Sequence, residues 1–316
     1  ISLITWNFII GTLAIFSLRD GSFKVFRDDL KNSLLKTKIF EEIRKVWEFS
    51  GKIFITLICI WIFQVGFRFE LLPIIGVYEF ALFSVGYSVA VLIFAGCEQI
   101  LNSYCLPLYY AKIESDSIDA SSSWNWLSKI AFPTYILALL FTISFSEILV
   151  LLILDSSYKD AGIYVKLAAF LEFLRVTYSF VSLHAHGINN TKLLVLPSLI
   201  GLLIFFIGYF SLKYFTINNS LLLLAMLSNF IAISCLWLSY RKDNNNLKIL
   251  DTLSLIKLLP ISFLLFFTFS FLPQDLSFIT SFFALTIGMI IYFFAWISIV
   301  WQPVLEIINK FKAESK

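Results

Sequence analysis

The stretch "LLVLPSLIGLLIFFIGYFSLKYF" (193–215) carries one charge, Lys213. It shows neither the alternation of a half-buried strand nor the polar face of a surface helix. A hydrocarbon layer about 30 Å thick is crossed by roughly 20 apolar residues in a helix, and this run supplies them. Lipid offers the backbone no hydrogen-bond partner, so a span must be helical unless strands close into a barrel. A barrel would show short alternating segments, whereas the apolar runs here are continuous.

The rest of the chain repeats the pattern. Its 316 residues are 59% hydrophobic, 18% aromatic and only 14% charged, with a mean hydropathy of +0.87. A soluble domain carries about 25% charged residues. The reading is an all-α, polytopic membrane protein with about nine transmembrane spans, near 1–18, 51–67, 76–112, 124–154, 161–186, 193–215, 220–240, 256–272 and 277–301. The external breaks "RFELLP" (68–73), "DSSYKD" (155–160), "TINNS" (216–220) and "PQD" (273–275) leave no room for an outer domain. No phosphate-cradling loop and no aromatic-interleaved basic patch occurs, so neither a nucleotide nor a nucleic-acid partner is expected. Cys59, Cys97, Cys105 and Cys235 all sit inside apolar runs without metal-ligand spacing and read as small buried residues. Gly66, Gly76, Gly86 and Gly96 recur every ten residues, which turns a helix by about 80° per step, so they share no face.

Orientation follows from lysine and arginine. When the breaks are placed alternately, the side holding 19–50 and the C-terminus collects 19 of the 24 basic residues. The other side holds Arg68, Lys159, Lys166 and Lys213, and Arg175 lies within a span. The 19–50 connection and the C-terminus are therefore assigned to the cytoplasm. Within that connection "KTKIFEEIRKVWEF" (36–49) reads as an amphipathic helix on the inner membrane surface or as a solvated linker helix.

The span around 171–187, "LEFLRVTYSFVSLHAHG", contains four ionisable side chains. At 100° per residue Glu172, Arg175, Ser179, Ser182 and His186 fall within an arc of about 80°. His184 points the opposite way, so the His-x-His pair cannot hold one metal from a helix. No metal, cofactor or catalytic residue is expected. Charges at bilayer depth cost at least about 2.5–3.5 kcal/mol each, so they are paired or face water. Two readings stay open: a Glu172–Arg175 pair that locks helix to helix, or a stripe lining a polar cavity. The extension through Ser179, Ser182 and His186 favours the cavity. Two more spans carry polar faces, with Trp61, Gln64 and Arg68 on one and Tyr87, Glu98, Asn102, Cys105 and Tyr109 on the other. Glu79 lies off that face, and Glu147 stands alone near the outer end of its span. The candidate cavity residues are Arg175, Glu172, Ser179, Ser182, His186, Gln64, Arg68, Tyr87, Glu98 and Asn102.

These residues carry a resemblance. Residues 51–94 resemble the seventh and eighth helices of Wzx-type polysaccharide (O-antigen) repeat-unit flippases of the multidrug/oligosaccharidyl-lipid/polysaccharide exporter superfamily. The matching features are Phe67-Arg68 at a span end, Gly76-Val77-Tyr78 opening the next helix, and Pro107 and Tyr109 in "LPLYYAKI" (106–113). The stretch 167–192, with Arg175 and the turn "HGINNTK" (186–192), resembles the tenth helix. The resemblance implies that 1–18 is the last helix of an N-lobe whose other helices lie upstream. It makes 19–50 the linker, 51–240 a six-helix C-lobe, and 241–316 two additional spans with a basic tail. It also implies alternating access of a polyprenyl-diphosphate-linked oligosaccharide across the bacterial inner membrane. The expected partners are that lipid-linked cargo, membrane lipids, a polysaccharide polymerase and a chain-length regulator. A drug or cation exporter of the same superfamily is the alternative, and a membrane polymerase or acyltransferase is disfavoured by the short external breaks.

The charge bias gives a direct expectation. Green fluorescent protein fused to the C-terminus should fluoresce, and alkaline phosphatase inserted at 155–160 should be active; the reverse pattern would invert the topology.

Overall fold

A computed structural model describes Arg44, Trp47, Leu247, Pro260 and residues 50–115, 120–154, 156–212, 220–243 and 278–314. The chain divides into two compact units, Ile1–Phe54 and Ile55–Lys316. Of the first, only Arg44, Trp47 and 50–54 are described, and all are helical. The expected span at 1–18, most of the amphipathic linker and all but Pro260 of the span at 256–272 lie outside the described residues.

Among the described residues of the second unit there are helices and no strand. Among the described residues five helices are long and apolar enough to cross a membrane: Ser50–Ile113, Ala120–Ser144, Lys192–Ser211, Ser220–Lys242 and Ile279–Leu305. The first has 64 residues, which as a straight rod would reach about 96 Å, three times the hydrocarbon thickness. It is a hairpin. Gly76, at φ 83° and ψ 169°, is its one non-helical residue. The Phe67 and Phe83 ring centroids lie 6.3 Å apart, although 16 helical residues would separate them by about 24 Å. The arms are α1 (55–75) and α2 (77–115). The outer break expected at 68–73 is thus helical to residue 75, and the reversal takes a single residue. That backbone region is open essentially to glycine alone.

The α1 arm buries Cys59, Phe63, Phe67 and Leu71, spaced four apart on one face, and exposes Leu57, Trp61, Phe69 and Leu72. The expected span at 124–154 is two helices, α3 (Ala120–Ser144) and α4 (Ser146–Ile153), broken at Phe145. The outer break after it is a 3₁₀ turn, Ser156–Ala161. Then follow α5 (Gly162–Gly187), α6 (Lys192–Leu212), α7 (Ser220–Asp243) and α8 (Phe278–Glu314). Between α5 and α6 the chain turns through Asn189 at φ 54°, a left-handed position that asparagine tolerates. The basic tail expected after residue 301 is helical as far as Glu314.

Helix α5 packs against α2, α3 and α7, and α6 lies mainly on α7. The last helix joins the same unit: α8 packs on α3 and α4. Trp296 donates from Nε1 to Thr134 Oγ1 at 2.8 Å. The Phe145 ring, freed by the break, sits over Gly288 and beside Phe141 and Tyr292. Water drives no helix pairing inside a bilayer, so close approach at small residues matters there. A Cβ on Gly86 would come within 2.9 Å of Ala161 O and Val165 N, and one on Gly201 within 3.0 Å of the Ala232 Cβ.

Gly76→Ala should therefore cost about 1–3 kcal/mol through backbone strain alone, since a Cβ there meets nothing within 4 Å. Gly96→Ala, also without neighbours but helical, should be neutral or stabilising by up to about 1 kcal/mol. Thermal unfolding in detergent separates the two.

Candidate functional site

The candidate residues meet along the seam of α2 and α5. These helices run parallel, and their contacts advance together. Near the N-terminal ends Tyr164 donates to the Glu79 carboxylate. The Gly86 crossing follows, then Tyr87 with Glu172 and Glu98 with Arg175. Towards the C-terminal ends Tyr109 donates to Leu183 O at 3.3 Å and packs over Gly187, where a Cβ would collide with its hydroxyl.

At the middle of the seam lies a charged chain. Glu172 is 1% exposed. Its Oε1 accepts from the Tyr87 hydroxyl, and its Oε2 accepts from Arg175 Nε at 2.7 Å. The same guanidinium turns its other edge to Glu98, with Nη2 to Oε2 at 2.6 Å and Nη1 to Oε1 at 3.4 Å. One arginine therefore holds two carboxylates from two helices. On the far side of Tyr87, the Arg68 guanidinium lies 3.6 Å above the ring centroid, a cation–π contact of about 0.5–2 kcal/mol. Arg68 Nε is buried without a hydrogen-bond partner. Two glutamates and two arginines bring α1, α2 and α5 together with no net formal charge. Arg175 sits 13 residues into a helix of 26, about 20 Å from either end.

The two open readings are thus both present, in different residues. Glu172 and Arg175 form the locking pair, which reaches a third charge through Glu98. Beside them a cavity of about 330 Å³ opens between α2, α3 and α5, lined by Glu98, Asn102 and Ser179 but not by Glu172. Ser182 turns back onto its own helix, donating to Ser179 O at 2.6 Å. His186 is half-buried and does not line the cavity. His184 packs against Trp124 and Tyr240, with centroids at 6.1 and 5.0 Å.

Two expectations are corrected. Trp61, Gln64 and Arg68 do not share a direction: Trp61 is exposed, Gln64 donates to Asn229 Oδ1 of α7 at 2.7 Å, and Arg68 faces α2. The cause is a π-turn at Ile62–Gly66, which holds more residues per turn than the 100° wheel assumes. A second π-turn, Leu101–Cys105, carries Asn102 one turn after Glu98. It directly precedes Pro107, whose ring needs the space of the preceding turn. Glu147 is not alone, because Lys166 Nζ lies 3.3 Å from its carboxylate. Sequence reading also missed Tyr135, which lines the cavity from α3; a tyrosine in an apolar span gave only a weak signal. Among the described residues no group of three histidine, cysteine or acidic side chains is placed to hold a metal.

No protein-family model, curated protein or solved structure matches the chain. The site stands on its own geometry.

Removing one partner of a buried ion pair costs about 3–5 kcal/mol, because the other charge is left uncompensated. Arg175→Met should lose that much stability. Adding Glu98→Gln and Glu172→Gln to it should restore most of the loss, read as the midpoint of thermal unfolding in detergent. Equal destabilisation of the single and triple variants would show that the charges are not coupled.

Proposed function

We propose that this chain is a helical lobe of an alternating-access transporter, not an enzyme. On this reading it moves a polyprenyl-diphosphate-linked oligosaccharide across the cytoplasmic membrane of a bacterium, with its C-terminus in the cytoplasm. One observation carries the reading. The α2–α5 seam holds a neutral network of four charges beside a cavity that Glu98, Asn102 and Ser179 help to line, and α2 exposes the amides of Gln99 and Asn102. Lipid solvates such groups poorly, so the seam fits a surface facing a watery passage. A second helical lobe would supply the opposite wall, and the exposed apolar faces of α6 and α8 would meet lipid, including the tail of the cargo. A polysaccharide polymerase and a chain-length regulator are the partners such a transporter would serve.

The drug or cation exporter fits less well. A cation needs an available carboxylate, and Glu98 and Glu172 already share Arg175. Arg175 has no donor nitrogen left for a phosphate, because its Nε and both Nη groups are engaged by carboxylates. Arg68 is the arginine of the network that faces no carboxylate within it, and a guanidinium suits a phosphate group.

The test uses Gln99, whose amide reaches Ser103 Oγ at 3.3 Å on the exposed face of α2. Gln99→Leu combined with Ser103→Leu in the intact protein should lower surface polysaccharide at least tenfold with protein level unchanged. A face turned to lipid would instead tolerate leucine, and unchanged polysaccharide would reject the transport reading.

A further inference from the structure

Helix α2 is tied to α5 on both sides of a break in its own hydrogen-bond ladder. Before the π-turn at Leu101–Cys105, Glu98 is held by two nitrogens of Arg175. After it, the hold is looser. The Tyr109 hydroxyl reaches Leu183 O at 3.3 Å, beyond the usual length for a hydroxyl donor. Lys112 Nζ rests 3.8 Å above the Trp126 ring of α3, while Pro107, Tyr110 and Ala111 are exposed. At the end of the turn the Leu106 N–H donates to Leu101 O, whereas an α-turn would take it to Asn102 O. The next rung is missing in either form, because Pro107 has no N–H. The cavity of about 330 Å³ lies against this turn, bordered by Leu101 and Leu106 of α2, Leu127 and Ala131 of α3, and Ser179 and Leu183 of α5. A protein interior has few voids larger than a water molecule, so the turn faces space that no side chain fills.

We propose that Leu101–Cys105 is a hinge with two settings, on which the C-terminal segment of α2 (106–115) turns relative to 77–100. Converting the π-turn into an α-turn releases one residue, which rotates that segment by about 100° and advances it by about 1.5 Å. The Leu106 N–H exchanges Leu101 O for Asn102 O, so it keeps a partner in both settings. The cavity receives the side chains of the turn as they swing. Tyr109 is the latch. In the setting described it lies over Gly187, where a Cβ would collide with its hydroxyl; rotation takes the ring off α5 and parts the C-terminal ends of the two helices. Glu98 precedes the turn and keeps Arg175, so the motion uncovers no buried charge. Elements with two discrete packings are what amplify a small local change into a larger one.

Distances between nitroxide labels test this in the full chain in phospholipid vesicles, read by double electron–electron resonance. The labels are carried on genetically encoded p-acetylphenylalanine, which leaves the four cysteines in place. One pair replaces Tyr110, after the turn, and Leu238 of α7, both exposed; α7 packs on α5 and serves as the fixed reference. This pair should give two distances at least about 5 Å apart, as a 100° rotation requires. A control pair at Leu92, exposed before the turn, and Leu238 should give one. Gly187→Ala unseats Tyr109 and should raise the ratio of the second distance to the first at least tenfold. Leu127→Trp fills the cavity and should leave only the first; Ala131→Leu, a smaller intrusion from the same helix, serves if that variant does not fold. A single, identical distance in both the parent and Gly187→Ala would overturn the proposal. So would two distances that survive the filled cavity, or an equal spread in the Leu92 pair, which would put the motion outside the turn. No transport step enters the measurement, so its outcome is separate from that of the Gln99→Leu/Ser103→Leu variant.

Discussion

A carboxylate that is almost fully buried at the middle of a helix must be satisfied, and Glu172 imposes that condition on everything around it. Its two oxygens take Tyr87 and Arg175. Arg175 then carries surplus donors that would be costly to leave buried, and Glu98 accepts them. Tyr87 and Glu98 both belong to α2, so this demand fixes how α2 lies on α5. The helices must run parallel, close near their N-terminal ends and in one register. Gly86 permits the approach by leaving out a Cβ that would strike the backbone of 161–165, and Tyr109 pins the other end at Leu183. The hairpin at Gly76 completes the set by folding α1 back, so that Arg68 covers the Tyr87 ring.

The network therefore divides labour among its arginines. A guanidinium held by two carboxylates is a structural tie, because freeing it would leave two carboxylates without their partner. One resting on an aromatic face keeps its donors for another partner. Both are arginines in apolar spans, and composition treats them alike. The same division separates the carboxylates: Glu172 is sealed by its partners, whereas Glu98 is paired and still borders the cavity.

Helical periodicity served where the helix was regular. On α5 the 3,4,3,4 spacing placed Glu172, Arg175 and Ser179 on one stripe and sent His184 to the other side, into the aromatic cluster of α3 and α7. On α1 it failed across Ile62–Gly66, because a π-turn changes the angle per residue and Gln64 turned to Asn229. On α2 the second π-turn presents Asn102 to the cavity. Nothing in a run of apolar side chains marks a π-turn, since it is a response of the backbone to its packing and, before Pro107, to a missing donor.

By itself the sequence determined that the chain is helical and built for a bilayer, because apolar length and the backbone's need for internal hydrogen bonds admit few other structures. It also determined that the charges of α5 share one stripe, since their spacing is legible from helix geometry alone. Only the tertiary structure decided what those charges do. Glu98 and Arg175 are 77 residues apart in the chain, and Tyr87 and Glu172 are 85 apart. No local rule pairs residues at such separations. The pairing follows from one glycine that reverses a hairpin, another that lets two helices touch, and the cost of leaving a buried carboxylate unmatched.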